Sequence, residues 1–281
     1  MQSTILYPFL DGSMRTPRIV LTAVLLLLVA SVALAHDLFL KLDTYFLEPH
    51  TRVRMPVLNG TFTTSENFIA PERLADITLV SPTGRTRLAP RVAWSAGPDN
   101  VSLLSVALGD AGTYVAGVST RPREIELTAE QFNAYLQEDG LPDVLEARRA
   151  DNELGRGARE RYSKHVKAIF QVGEARTEAF TLVLGYPAEI VPIENPYTLA
   201  TGASLRVRCF VDKRPVANQT VLWGGPGGAA ERSTRTDSLG VAQVTLDAAG
   251  KWYVKFIHMA RANRAGLDYE SKWATLTFET R

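Results

Sequence analysis

With 46% hydrophobic and 22% charged residues, the 281-residue chain has the composition of a folded globular protein, which excludes wholesale disorder. Its 31 Lys and Arg against 30 Asp and Glu give a formal net charge of +1, so no bulk field favours nucleic acid or a strongly acidic partner. The 20 glycines and 15 prolines exclude a fibrous architecture, and one cysteine excludes an internal disulfide.

The first predicted element is an address. Residues 19–35 read IVLTAVLLLLVASVALA, uncharged, behind Arg15 and Arg18. The run ends in Ala33-Leu34-Ala35, the small-x-small pattern that signal peptidase accepts. Residues 1–35 therefore read as a signal peptide, with Met14 as the more natural start, since MRTPRIVL opens a leader of normal length. Cleavage leaves a chain beginning at His36, secreted into the periplasm. If the segment stayed uncleaved it would be the chain's membrane contact, though it is at the short end for a span.

From His36 the sequence reads as β-structure. HDLFLKLDTYFL alternates apolar and charged residues, and TRVRMPVLNG, ADITLVSPTGR, VSLLSVALGDAG and TYVAGVST follow between Gly, Pro and Asp turns. At 128–167 the character changes. Thr128 with Gln131 forms a capping box, and Phe132, Tyr135 and Leu136 form an apolar helical stripe ending at Gly140. The charged stretch from Leu141 to Lys167 extends the expected helical insertion. VKAIFQVG and EAFTLVLG return to strand character.

GYPAEIVPIENP, with three prolines, reads as a connector over 187–196. Beyond it SLRVRCFVD, QTVLWGG, VAQVTLD, KWYVKFIHM and KWATLTFET are strands of a second unit, with TDSLG as a turn. The expected fold is mainly β: two immunoglobulin- or prealbumin-like β-sandwich domains, 36–186 and 197–281, with the insertion 128–167 in the first. Cys209 alternates with Leu205, Val207 and Val211, so its thiol is expected inward as a small hydrophobe.

Chemistry has few carriers. GGPGG (Gly224–Gly228) lacks the Gly-Lys-Ser/Thr ending of a phosphate loop and reads as a hairpin turn, and no serine is framed as a nucleophile elbow. No enzyme activity is expected on these grounds. Of the four histidines, His50 reads as a solvated turn residue, and His165, amid Arg159, Arg161, Lys164 and Lys167, as part of an exposed helix face. His36 would combine a free α-amine with an imidazole, a chelate suited to a divalent transition metal. A second imidazole would complete a three-nitrogen histidine brace. His258 is the candidate, because Trp252, Val254, Phe256 and His258 share one strand face opposite Lys255. Asp268, Tyr269 and Glu270 lie a short loop later, and Glu270 is the expected oxygen donor.

AHD at the cleavage junction, EIVPIENPYTL running into LRVRCFVDKRPVANQTV, the TDSLG turn, and GKWYVKFIHM leading to ESKWATLTFE together resemble one group. It is a bacterial exported family, described as a domain of unknown function and historically labelled NikM-like or periplasmic component of cobalt/nickel transport. The resemblance implies a two-part, β-rich periplasmic protein associated with nickel or cobalt uptake, with His36 and His258 at the family's recurrent histidine places. The expected function is non-enzymatic binding of nickel, cobalt or copper, passed to a membrane metal transporter or a TonB-dependent receptor. Two alternatives stand beside it. One is a metal-free ligand- or surface-binding sandwich; the other is a copper histidine-brace oxidase acting on polysaccharide.

Overall fold

The structure is a computed structural model that describes residues 37–228 and 230–281. Its first strands are β1 (Asp37–Leu40), β2 (Phe46–Leu47), β3 (Arg52–Gly60), β4 (Leu74–Ser81) and β5 (Gly84–Arg87). A four-residue helix α1 (Pro90–Ala93) leads into β6 (Trp94–Ala96), β7 (Ser102–Ala107), β8 (Gly112–Thr120) and β9 (Arg123–Leu127). Helices α2 (Ala129–Glu138) and α3 (Pro142–Ala150) follow, then β10 (Ala158–Val172) and β11 (Ala188–Pro192). Next come β12 (Ser204–Val211), β13 (Arg214–Pro215), β14 (Thr220–Gly224) and β15 (Arg232–Arg235). The last are β16 (Val241–Thr245), β17 (Gly250–Arg261) and β18 (Tyr269–Thr280).

A long central sheet in the order β15-β14-β17-β18-β10-β8-β4-β5 organises the molecule, with β2 and β9 pairing on β10. Two small sheets cover it. The sheet β1-β3-β7-β6 packs one face, where Leu38, Met55, Val57 and Leu104 meet Val118, Val166, Ala168 and Phe170. The sheet of β11, β12, β13 and β16 packs the other, where Ile190, Val207, Cys209 and Val244 meet Ile169, Phe256, Leu276 and Phe278. Beside the first small sheet, α2 lays Phe132, Tyr135 and Leu136 on Ile257, Met259, Tyr269 and Trp273.

Strands β10 and β18, buried on both faces over most of their length, pair in parallel from Glu160↔Tyr269 to Ala168↔Thr277. This pair joins the two halves of the chain. The central sheet thus runs across the boundary drawn at 187–196, and the described residues belong to one compact unit. The expected connector itself contains β11, paired only with β12. Pro187 and Pro192 fall at its ends, where a missing N–H costs no ladder bond.

The helical insertion is correct over α2, whose capping box and three buried stripe residues are all present. It stops at Ala150, however, and residues 158–167 are strand rather than helix. The stretch EAFTLVLG also differs: Glu178–Thr181 is a 3₁₀ turn and Leu182 and Val183 are exposed. Cys209 is fully buried, and burial pushes its thiol pKa up, so it is inert packing.

Candidate functional sites on the two faces of the central sheet

On β17 the alternation places Trp252, Val254 and Phe256 in the core beneath β12, and His258 follows on the same face, half-buried. Its Nδ1 lies 3.0 Å from Gln219 Oε1. Gln219 Nε2 donates to Thr220 O at 3.2 Å and Ile257 O at 3.0 Å, so Oε1 is the atom turned to the ring. The neutral imidazole therefore carries its proton on Nδ1. Its Nε2 keeps a lone pair and has no hydrogen-bond partner among the described residues. His258 lines a cavity of about 180 Å³ with Gly140, Leu141, Pro142 and Asn218. Burial and the neighbouring Lys272 ammonium lower the His258 pKa against a smaller upward pull from Asp212, which favours this neutral form.

A polar row continues from His258 across the same face. Lys272, directly opposite His258 in the register, donates to Asp212 Oδ2 at 2.5 Å. The parallel pair sets Ser163 beside Lys272. Ser163 Oγ lies 3.0 Å from His165 Nε2, and Ser119 Oγ lies 2.9 Å from His165 Nδ1. Burial, with Lys272, drives the His165 pKa down to about 3, so this ring is a neutral bridge between two hydroxyls. His165 is 3% exposed on β10, which corrects the expectation of a solvated helix face. Charged residues interleaved along a buried strand give the same local composition as a charged helix, which is why the sequence alone points to the wrong element. His50 matches its expectation as an exposed turn residue, at φ 59° and 3.5 Å from Asp110.

The opposite face carries a buried charge cluster that sequence reasoning missed. Lys255 Nζ lies 2.7 Å from Asp37 Oδ2, 3.2 Å from Glu231 Oε2 and 3.7 Å from Asp139 Oδ1. Burial opposes the Lys255 charge, but Asp37, Glu231 and Asp139 together raise its pKa. Burial, reinforced by the Asp37 charge, pushes Asp139 up to about 7. Tyr253 donates to Glu231 at 2.9 Å, and Lys164, pushed down to about 8 by burial, donates to Asn59 Oδ1 at 2.9 Å. Asp37 Oδ1 is buried with no hydrogen-bond partner among the described residues. Nearby, Glu160 accepts from Tyr135 and Ser271 through Oε1 while Oε2 has no partner among the described residues, and burial pushes it up to about 7. The signal that could have flagged this cluster is the odd parity of Lys255 among the apolar residues of KWYVKFIHM.

Of the sequence-expected metal donors, His258 and Glu270 share a sheet face, with Glu270 opposite Ala260 in the register. They turn apart: His258 toward Gln219, Glu270 toward Arg161 Nη1 at 3.2 Å. His36 and the apolar segment 19–35 lie outside the described residues. Asp37, the first described residue, is anchored on Lys255, whose side chain projects from the face opposite His258. Among the described residues no group of three or more His, Cys, Asp or Glu side chains is placed to hold a metal ion, and no helix is long and apolar enough to cross a membrane.

Solved structures resemble the chain only loosely. The D0-D1 domain of intimin is 13% identical over 87% of this chain and 98% of that one, at a TM-score of 0.21. A two-domain fibronectin type-III segment from chicken tenascin is 13% identical over 87% of this chain and 98% of that one, at 0.23. Dimeric latent PorU from Porphyromonas gingivalis is 12% identical over 87% of this chain but only 20% of its own length, at 0.21. No curated protein matches the chain. A family model does match, over residues 33–260, and the chain belongs to that family, described as Domain of unknown function (DUF4198).

Proposed function

We propose that this is an exported, non-enzymatic protein that binds a divalent transition metal, nickel, cobalt or copper, and assists its uptake through a membrane transporter or TonB-dependent receptor. The observation that carries the reading is the His258 ring. Gln219 fixes its proton on Nδ1 and leaves Nε2 with a lone pair, on a residue that lines a cavity; that is the state in which imidazole ligates a metal. The leader-like segment 1–35 and the resemblance to proteins labelled for cobalt and nickel transport support the same reading. His36 supplies the second imidazole in this proposal, and Glu270 an oxygen once it leaves Arg161. The test is calorimetric titration of the protein beginning at His36 with Ni²⁺, Co²⁺, Cu²⁺ and Zn²⁺. Binding that falls at least tenfold in His258→Gln and in His36→Gln supports it. Unchanged affinity in both variants, or no binding of any of the four ions, sinks it.

A second reading is favoured by the lack of three converging donors among the described residues: a sandwich that binds a ligand or surface without metal. Under it, none of the four ions raises the thermal midpoint, since a ligand that prefers the folded state must raise it.

A further inference from the structure

We propose that a second cavity, of about 270 Å³ between β4, β5, β8, β10 and the segment leading into β11, binds a small oxyanion, the carboxylate or phosphate group of a soluble ligand, through Arg85 and the Ser119–His165–Ser163 bridge. It lies at the far end of the polar row from His258, and the proposal stands whether or not a metal binds there.

The strand registers build this cavity. Asp76 on β4 pairs with Ser119 on β8, Thr78 with Arg87 and Val80 with Arg85 on β5. By the two-residue alternation these side chains share one sheet face, the face on which Ser119 meets His165. Tyr186 spans the same ground: its ring centroid lies 6.0 Å from that of His165, and its hydroxyl donates to Asp76 Oδ2 at 2.9 Å. Arg85, Ser119, Ser163 and Tyr186 all line the cavity.

The bridge leaves one donor unspent. Burial keeps the His165 ring neutral, so it carries a single ring proton, donates to one serine and accepts from the other. The serine that takes the ring proton keeps its own hydroxyl proton, and neither hydroxyl has a further partner among the described residues. In either tautomer, then, one of two buried serines has a proton to give, and buried donors are seldom left without an acceptor.

The surrounding charges select an anion as that acceptor. Asp76 already receives Arg87 Nε at 2.6 Å, Thr78 Oγ1 at 2.6 Å and the Tyr186 hydroxyl. Arg87 is thereby committed, and Arg85 is not. Its Nη2 reaches Thr78 Oγ1 at 3.4 Å and Asp76 Oδ2 only at 4.0 Å, and its other N–H groups have no partner among the described residues. A second cation stands at the rim. A Cβ on Gly185, which lines the cavity, would lie 3.4 Å from Lys213 Cε, and Lys213 has no ion-pair partner among the described residues. The neighbouring charges Lys167 with Glu189 and Lys272 with Asp212 are paired with each other and add none. A guanidinium fork takes two oxygens of a carboxylate or phosphate, and the serine proton supplies a further donor beside it.

The described residues form one compact unit, so the test uses protein beginning at His36. It is titrated calorimetrically with inorganic phosphate and, separately, with acetate, at about 0.15 M sodium chloride, where exposed charges are screened. Saturable binding of at least one anion is expected; phosphate alone identifies a phosphorylated ligand and acetate alone a carboxylate. Affinity should fall at least tenfold in Arg85→Gln while the thermal midpoint of the free protein stays in place, since that side chain is 34% exposed. Lys213→Asn serves as the second variant should the first not fold. With ¹⁵N-labelled histidine, the His165 ring signal, identified by its contact with Tyr186, should shift on saturation, because the anion fixes which serine takes the ring proton. No saturable binding of either anion at millimolar concentration overturns the proposal. So does affinity unchanged in both variants, or binding that leaves the His165 signal unmoved, either of which puts the anion elsewhere on the surface.

Discussion

Lys167 and Glu189 are 2% and 1% exposed at their side chains and 3.0 Å apart, and Glu189 also accepts the amides of Leu184 at 2.6 Å and Gly185 at 2.9 Å. Every oxygen of that carboxylate is in use, so the pair ties β10 to β11, and the two amides tie β11 to the segment before it. Removing one partner leaves a buried charge. Lys167→Met should therefore destabilise by about 3–5 kcal/mol, while adding Glu189→Gln should recover part of the loss. Urea unfolding of the two variants measures both; equal stability of the single and double variants would contradict the pairing argument. The sequence placed Lys167, Lys164 and His165 on a wet helix, because charge alternating along a segment is ambiguous between periods. What decided otherwise was the register with β18 and β8, which no local pattern carries. His258 was different: three apolar neighbours at even spacing were enough to turn it inward.

Helix α2 is where local and tertiary signals agree. Thr128 accepts from the Gln131 amide while the Gln131 side chain accepts from the Thr128 amide, and the stripe faces the core. Thr128→Ala should cost about 1 kcal/mol, read by chemical denaturation. What the helix covers was not legible. Tyr135 stacks on Trp273 with ring centroids 5.6 Å apart, and its hydroxyl reaches Glu160, 25 residues away in sequence. The buried Glu160 and the Asp139 at the helix end both have pKa values raised to about 7. A raised carboxyl pKa means the folded state binds the extra proton. Its contribution is complete below the unfolded carboxylate range of about 4 and is lost as pH rises through 7. Glu160 alone should therefore contribute a decline on the order of 3 kcal/mol between pH 5 and pH 8. The buried His165, whose pKa is lowered, adds stability as pH rises toward 6.5, so the net decline falls above that value. Lys164, lowered to about 8, has the reverse sign, and restores stability only as pH rises beyond that value. Thermal midpoints from pH 5 to pH 8 test this, and Glu160→Gln should flatten the profile. A wild-type midpoint that climbs from pH 6.5 to pH 8 would refute the argument.

Across the whole molecule, the β class and most strand positions could be read from alternation and turn residues. The assembly could not, because it depends on a parallel pair whose members are about a hundred residues apart. Since β10, β8 and β4 share one sheet with β14, β17 and β18, neither half buries its strands alone. Thermal unfolding of the protein starting at His36 should accordingly show a single calorimetric transition. Two separated transitions would mean that the halves fold independently. The candidate sites share this dependence. The row from Gln219 through His258, Lys272 and Ser163 to Ser119 exists only once β14, β17, β18, β10 and β8 lie side by side.

The position of β18 also has a consequence for the order of synthesis. It comes last in chain order among the described strands, yet it lies between β17 and β10, with twelve residues paired to one and nine to the other. A nascent chain that has emerged only as far as residue 268 holds β10 and β17 with nothing between them. The central seam can close only after β18 has left the ribosome, so a chaperone that engages the chain before then meets two strands still waiting for their shared neighbour.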